Sequence, residues 1–133
     1  MYKKIFIIDD DEVSSFLTEA TLAEEAFAQA YECYHNGKEA LEALLPLLQG
    51  QPAAPLPDLI LLDLNMPVIS GWGFLEALAP YAAQLQGRCL IYILTSSVDE
   101  EEVKRANENE LVAGFLHKPL IEDSILQLKQ ARR

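Results

Sequence analysis

An apolar run that ends in a carboxylate can lift that carboxylate to the rim of a buried sheet, and this chain does so more than once. Leu59-Ile60-Leu61-Leu62 runs into Asp63, which opens the turn Asp63-Leu64-Asn65-Met66-Pro67. Ile5-Phe6-Ile7-Ile8 runs into Asp9-Asp10-Asp11, and Cys89 to Leu94 runs into Thr95-Ser96-Ser97. A last apolar stretch, Val112 to Leu116, is followed by His117-Lys118-Pro119. In a doubly wound parallel sheet ligands sit outside the carboxyl ends of the strands, so carboxylates, a hydroxyl and an ammonium would share one side. Such a set can bind a hard divalent cation through oxygen, and it can offer a carboxylate as nucleophile to a group whose transfer needs charge neutralisation.

The elements that would carry these groups are an alternation of short apolar runs with helical spacing, the pattern of strands and helices around a parallel sheet. Five such pairs are expected. The first strand spans about Lys4 to Ile8 and its helix about Glu12 to Glu25, capped by Asp11, with Val13, Phe16, Leu17 and Ala20 facing the core together. The second strand covers about Ala30 to Tyr34, and Asn36 caps a helix whose Ala40, Leu41, Leu44, Leu45 and Leu48 form an apolar stripe that Gly50 ends. Gln49 to Pro57, with Gly50, Pro52, Pro55 and Pro57, reads as a surface loop.

The third strand is followed by a helix from about Gly71, with Phe74, Leu75 and Leu78 inward and a kink or restart at Pro80. The fourth strand, Cys89 to Leu94, leads to a helix opening near Ser97, where Ser97-Val98-Asp99-Glu100 fits a capping box. That helix has little more than Val103, Ala106 and Leu111 to bury, which marks it for movement. The fifth strand is about Val112 to Leu116. The last helix uses Ile121, Ile125 and Leu128, with Asp123 as its cap and Lys129, Arg132 and Arg133 near its favourable C-terminal end.

At 133 residues the chain is expected to form one domain, 1–133, with no output domain. Ten Lys and Arg against 21 Asp and Glu give a net charge of -11, which repels nucleic acid and anionic membrane surfaces. No apolar stretch approaches the roughly 18 residues needed to span a bilayer, and no signal peptide is legible, so a cytoplasmic location is expected. Cys33 and Cys89 lie in apolar strand-like runs and read as small buried hydrophobes in a reducing compartment.

In order and in position, these motifs resemble the receiver domain of two-component response regulators: Ile5-Phe6-Ile7-Ile8-Asp9-Asp10, then Leu61-Leu62-Asp63-Leu64-Asn65-Met66-Pro67 with Gly71, then Ile93-Leu94-Thr95-Ser96 and Lys118-Pro119. The resemblance covers essentially the whole chain. It implies an α/β fold of the flavodoxin-like, doubly wound type, a five-stranded parallel sheet in the order 2-1-3-4-5 with five helices. In that order the first and third strands are neighbours, which brings Asp9, Asp10 and Asp63 within a few ångströms. Two such charges about 4 Å apart repel by roughly 4 kcal/mol at an effective dielectric near ~20, so a cation must offset them. Mg²⁺ fits an all-oxygen site that keeps several waters, with Mn²⁺ as a substitute.

By the same resemblance Asp63 is the phosphoacceptor, a carboxylate that takes a phosphoryl group as an acyl phosphate. Asp10 and Asp63 are the implied direct metal ligands, Asn65 adds its backbone carbonyl, and Asp9 acts through water. Lys118 and Thr95 hold phosphoryl oxygens. Thr95 moving inward vacates space for Phe115, which changes the surface of the fourth helix, fifth strand and fifth helix. Phe115 lacks the hydroxyl of the tyrosine often found there, so its role rests on packing. The implied phosphodonor is a histidine kinase or a histidine phosphotransfer protein, and the implied reader is a downstream effector protein. Nucleic acid and membrane are not implied partners, and the expected state is a monomer or a weak phosphorylation-dependent dimer. Such a protein catalyses its own phosphorylation and dephosphorylation but turns over no external substrate.

Several of these residues also have plainer readings. A post-strand aspartate such as Asp63 is commonly a cap or an Asx turn, Phe115 can be simple core, and the acidic run Asp99 to Glu102 can be a solvated helix start. His35 and His117 lack metal-ligand spacing. Trp72, next to Gly71, reads as partly buried packing near the Asp63 loop, and Gly71 as a turn or helix entry that a side chain would hinder. A Mg²⁺-dependent phosphohydrolase of the haloacid dehalogenase type also uses a strand-end aspartate, but it needs a second aspartate two residues on, where this chain has Asn65. A receiver-like interaction module that takes no phosphate is the other alternative, and Asp63, Thr95 and Lys118 argue against it.

Overall fold

The apolar runs pair into a single all-parallel sheet of β1 (Tyr2–Ile8), β2 (Ala28–Tyr34), β3 (Leu59–Leu62), β4 (Leu90–Thr95) and β5 (Val112–His117), in the order β2-β1-β3-β4-β5. The computed structural model describes residues 2–50, 55–66, 68–96 and 99–131. The crossovers run through α1 (Glu12–Glu24), α2 (Gly37–Leu48), α3 (Gly71–Leu78) and α4 (Glu100–Glu108), and α5 (Glu122–Ala131) follows β5. Pro80 interrupts the regular helix after α3, which continues as a 3₁₀ turn at Ala79–Tyr81 and a short turn at Ala82–Leu85. The sheet order and the five helices are those of the flavodoxin-like doubly wound fold.

Because side chains alternate along a strand, each apolar run feeds two cores. Phe6, Ile8, Ile60, Leu62, Ile91 and Ile93 face α2, α3 and Ala106 of α4. Ile5, Ile7, Leu59, Leu61, Tyr92 and Leu94 face Leu22 of α1 and Ile125 and Leu128 of α5. Asn36 caps α2 as expected, its side chain accepting the Glu39 N–H at 2.8 Å. Gly50 follows that helix at φ +100, a left-handed conformation that glycine adopts without strain. Of the expected loop Gln49 to Pro57, residues 51–54, Pro52 among them, lie outside the described residues. Cys33 is half-buried and Cys89 buried, and both are free thiols.

The apolar stripe of α1 does not face the core. Val13, Phe16 and Leu17 are 67%, 71% and 57% exposed, and the buried residues of the helix are Ser15, Thr18 and Leu22. At about 100° per residue these two sets lie on opposite sides of the helix. Its phase is fixed at both ends: Asp11 caps the first turn, and Leu22 is locked into the core beside Phe27, whose N–H donates to the Leu22 carbonyl at 3.1 Å. The small side chains of Ser15 and Thr18 then meet the sheet, and the larger apolar ones meet solvent.

Two expected helix starts also differ. The cap of α4 is Asp99, whose Oδ1 accepts the Glu101 N–H at 2.9 Å; the first half of the expected capping box, Ser97 and Val98, lies outside the described residues. In α5, Asp123 sits within the first turn and is no cap, and Ile121 precedes the helix at 56% exposure, so only Ile125 and Leu128 of the expected trio are buried. Arg132 and Arg133 lie outside the described residues.

Candidate functional site

The register of the sheet places Ile8 beside Leu62, so the next residues, Asp9 and Asp63, leave adjacent strands at one rim. Backbone bonds fix both: the Asp63 N–H donates to the Ile8 carbonyl at 2.9 Å, and the Asp9 N–H donates to the Tyr34 carbonyl at 2.9 Å. On the other side β4 ends in Thr95, whose carbonyl accepts the Lys118 N–H at 2.9 Å. That bond turns the chain after β5 back toward the rim, where the Lys118–Pro119 peptide is cis.

The Lys118 ammonium is the centre of the site. Its Nζ donates to Asp9 Oδ2 at 2.6 Å and to Asp63 Oδ2 at 2.9 Å, with all three side chains largely shielded from water. Asp9 Oδ1 accepts the Asp11 N–H at 3.0 Å, so both of its oxygens are engaged. Asp63 Oδ1 accepts the Asn65 N–H at 3.3 Å, which holds the carboxylate within its own turn. Asp11 caps α1, as expected, by accepting from Val13 N–H at 2.9 Å and Ser14 N–H at 3.2 Å.

Burial and charge act on these groups in different balances. Burial raises the Asp63 pKa, and the nearby Asp9 charge adds to it, so the hydrogen bond and charge of Lys118 leave the value above the ordinary 3.8. Asp9 feels the same burial, but the Lys118 hydrogen bond, the Asp11 N–H and the Ser14 hydroxyl outweigh it and hold the carboxyl below 3.8. Burial alone would lower the pKa of Lys118; its bonds to Asp9 and Asp63 win and raise it above 10.5.

Asp10, Asp9 and Asp63 each present a carboxylate oxygen within 4.8 Å of the others, with Asp10 exposed at the mouth. Three carboxylates against one lysine, which pairs with Asp9 and Asp63, leave an excess of negative charge, and their hard oxygen donors suit Mg²⁺ better than a soft or borderline metal. Asp10 and Asp63 would hold it, while the occupied oxygens of Asp9 suit an indirect part. The exposed Asn65 lies two residues beyond Asp63 in the same turn.

The other sequence candidates fall around this centre. Thr95 is 1% exposed at the end of β4. Phe115 is half-buried on β5, its ring tilted against His117 at 5.2 Å between centroids. His35 is exposed with Nδ1 3.4 Å from the Asp9 carbonyl oxygen, and His117 is exposed. Gly71 is required for space and not for its backbone angle: a Cβ there would lie 2.5 Å from the Asp63 carbonyl oxygen and 2.8 Å from Leu64 Cα. Its N–H also donates to the Leu64 carbonyl at 3.0 Å, so α3 begins pressed against the Asp63 turn. Trp72 is half-buried, and the guanidinium of Arg105 lies over its ring, 4.2 Å from the centroid. Nothing in the sequence singled out Arg105 or Ser14, because a contact between two surface helices and a local hydroxyl bond have no spacing signature.

Residues 5–130 match the family profile of the response regulator receiver domain. The chain belongs to this family. Receivers are signalling modules of two-component systems that bind Mg²⁺ at an acidic pocket and interact with histidine kinases or phosphotransfer proteins and with downstream effectors. Among solved receivers, a two-component response regulator from Cytophaga hutchinsonii superposes with a TM-score of 0.87 at 22% identity, covering 98% of this chain and 96% of that one. The phosphorylated cyanobacterial phytochrome response regulator RcpA gives 0.75 at 26% identity, covering 99% and 91%. The Vibrio cholerae chemotaxis receiver CheY4 gives 0.70 at 24%, covering 98% of each chain. No curated protein sequence matches this receiver at a significant level. No helix among the described residues is long and apolar enough to cross a membrane.

Proposed function

We propose that this receiver accepts a phosphoryl group on Asp63 from a phosphohistidine donor, and that the modification changes a surface read by an effector protein. The observation that carries the reading is the convergence on Asp63 of the Lys118 ammonium at 2.9 Å and the carboxylates of Asp9 and Asp10 within 4.8 Å. An Asp63 oxygen attacks phosphorus and forms the P–O bond of an acyl phosphate, while the P–N bond to the donor imidazole breaks and the imidazole leaves with its electron pair, taking up a proton. Bound at Asp10 and Asp63, Mg²⁺ would supply a positive charge that neutralises the transferring oxygens. Lys118 shifts its hydrogen bond from the Asp63 carboxylate to a phosphoryl oxygen and keeps Asp9 as its anchor. Thr95 donates its hydroxyl to another, Phe115 fills the space behind it, and the face made of α4, β5 and α5 rearranges. The phosphoryl group drives that change only by binding the rearranged state more tightly than the resting one.

A donor must cover the rim in order to present its phosphohistidine to Asp63. That rim continues into a groove of about 380 Å³ lined by Val13, Leu17, Thr18, Lys118, Pro119 and Leu120. Since Lys118 belongs to both site and groove, the exposed apolar side of α1 fits the donor protein. Intact-mass measurement after incubation with Mg²⁺ and acetyl phosphate tests the reading. Wild type should gain one phosphate and Asp63→Asn none; equal labelling of both, or of neither, overturns it.

A further inference from the structure

The helix that follows Thr95 is held to the rest of the molecule by very little. Of α4, only Ala106 is buried, with Val103 half-buried, while its first turn, Glu100, Glu101 and Glu102, is acidic. An element with so few apolar anchors is easily displaced, and each remaining contact weighs more in its position. One such contact leads to the phosphoacceptor loop. Arg105, exposed on α4, places its guanidinium 4.2 Å from the centroid of the Trp72 ring. Trp72 is the second residue of α3, and Gly71 before it packs directly on the Asp63 carbonyl and the Leu64 backbone. The contact therefore joins the element downstream of Thr95 to the one downstream of Asp63.

We infer that the Arg105–Trp72 contact is a restraint that holds α4 in its resting position and opposes the switch. The inference rests on the proposed phosphoacceptor role of Asp63. The arrangement is that of the free carboxylate, because the Lys118 ammonium is shared between Asp9 Oδ2 and Asp63 Oδ2. A contact made in the resting arrangement and weakened in the other lowers the affinity for the phosphoryl group by the factor it contributes to the resting state. Tryptophan is the best ring for such a pair, and at a half-exposed position the factor is about three- to tenfold.

Two measurements on the full chain test this. Hydrogen exchange of the peptide spanning Glu100–Glu108, in protein free of Mg²⁺ and phosphate, should be about threefold or more faster in Arg105→Gln than in wild type, with Arg105→Lys, which keeps the cation, between them. Calorimetric titration with beryllofluoride and Mg²⁺, a phosphoryl mimic, should give about three- to tenfold tighter binding to Arg105→Gln. Faster exchange with unchanged beryllofluoride affinity overturns the restraint, because the contact would then be local packing only. Unchanged exchange overturns it as well. Acetyl phosphate labelling of wild type separates the levels: a labelled wild type with either negative result refutes this inference alone, whereas a wild type that takes no phosphate refutes the underlying reading and this inference with it.

Discussion

Lys118 and Asp63 stand 55 positions apart in the chain, and their Nζ and Oδ2 atoms are 2.9 Å apart. The same ammonium reaches Asp9 at 2.6 Å, so one lysine compensates two buried carboxylates. That sharing leads to several measurable consequences.

Lys118→Met leaves Asp9 and Asp63 facing each other without their cation. Removing one partner of a buried ion pair costs about 3 to 5 kcal/mol, and metal-free urea unfolding should register a loss of that order. Added Mg²⁺ should then restore more stability to the variant than it gives wild type, because the freed carboxylates bind it more tightly. Equal Mg²⁺ responses in the two proteins would contradict this arrangement.

Asp9 and Asp63 should respond to neutralisation with opposite signs. The folded pKa of Asp9 is depressed, so its ionisation stabilises the fold above the ordinary value of 3.8 and the contribution is lost as pH falls through the folded value. Asp63 is raised, so its ionisation costs stability at neutral pH, and protonation removes that cost as pH falls through its folded value. In urea at pH 7 without metal, Asp9→Asn should lose about 1.5 to 3 kcal/mol, as for a charge-assisted hydrogen bond, and Asp63→Asn should gain stability. A loss in both would contradict this balance.

The alkaline limb belongs to Lys118. Its raised folded pKa means that its contribution is complete below the ordinary value of 10.5 and is lost as pH rises through the folded value. Thermal unfolding followed from pH 9 upward should show a decline in wild type that is missing from Lys118→Met. Parallel declines would place the alkaline transition elsewhere.

The orientation of α1 gives a contrast between two apolar residues of one helix. Phe16→Ser, on the exposed side, should change stability by no more than about 0.5 kcal/mol, whereas Leu22→Ala should cost about 2 to 5 kcal/mol. Phe16→Ser should also slow transfer from a phosphohistidine donor protein while its rate with acetyl phosphate stays at the wild-type level. A large stability loss in Phe16→Ser would return the apolar stripe to the core.

Gly71→Ala should force the Asp63 turn to move, since the two nearest atoms, the Asp63 carbonyl oxygen and Leu64 Cα, are backbone and cannot rotate away. Overpacking of this kind costs about 1 to 3 kcal/mol, and acetyl phosphate labelling should slow with it. An unchanged urea midpoint would show that the turn has room to spare.

Residues that must be apolar on both sides were readable from the chain, because a buried parallel strand leaves a continuous oily run. The runs ending in Asp9, Asp63 and Thr95 therefore pointed to the rim where Asp9, Asp63 and Lys118 converge, and the sheet order followed from the resemblance those motifs carry. The face of α1 was misread. Helical spacing identifies an apolar stripe but not what it faces, and in this helix the cap at Asp11 and the anchor at Leu22 set the phase. The Arg105–Trp72 pair was invisible for a related reason, since it depends on how two helices lie against the same sheet. The sharing of Lys118 between Asp9 and Asp63 needed side-chain geometry, although the lysine itself was marked by its place after β5.

The central claim, that Asp63 is the atom source for an acyl phosphate, is tested most directly by trapping. After treatment with Mg²⁺ and acetyl phosphate, borohydride reduces an aspartyl phosphate to the alcohol, and peptide mapping reads its position. A single reduced site at Asp63, absent from Asp63→Asn, is the expected result. Reduction at another residue, or none in wild type, would contradict the account.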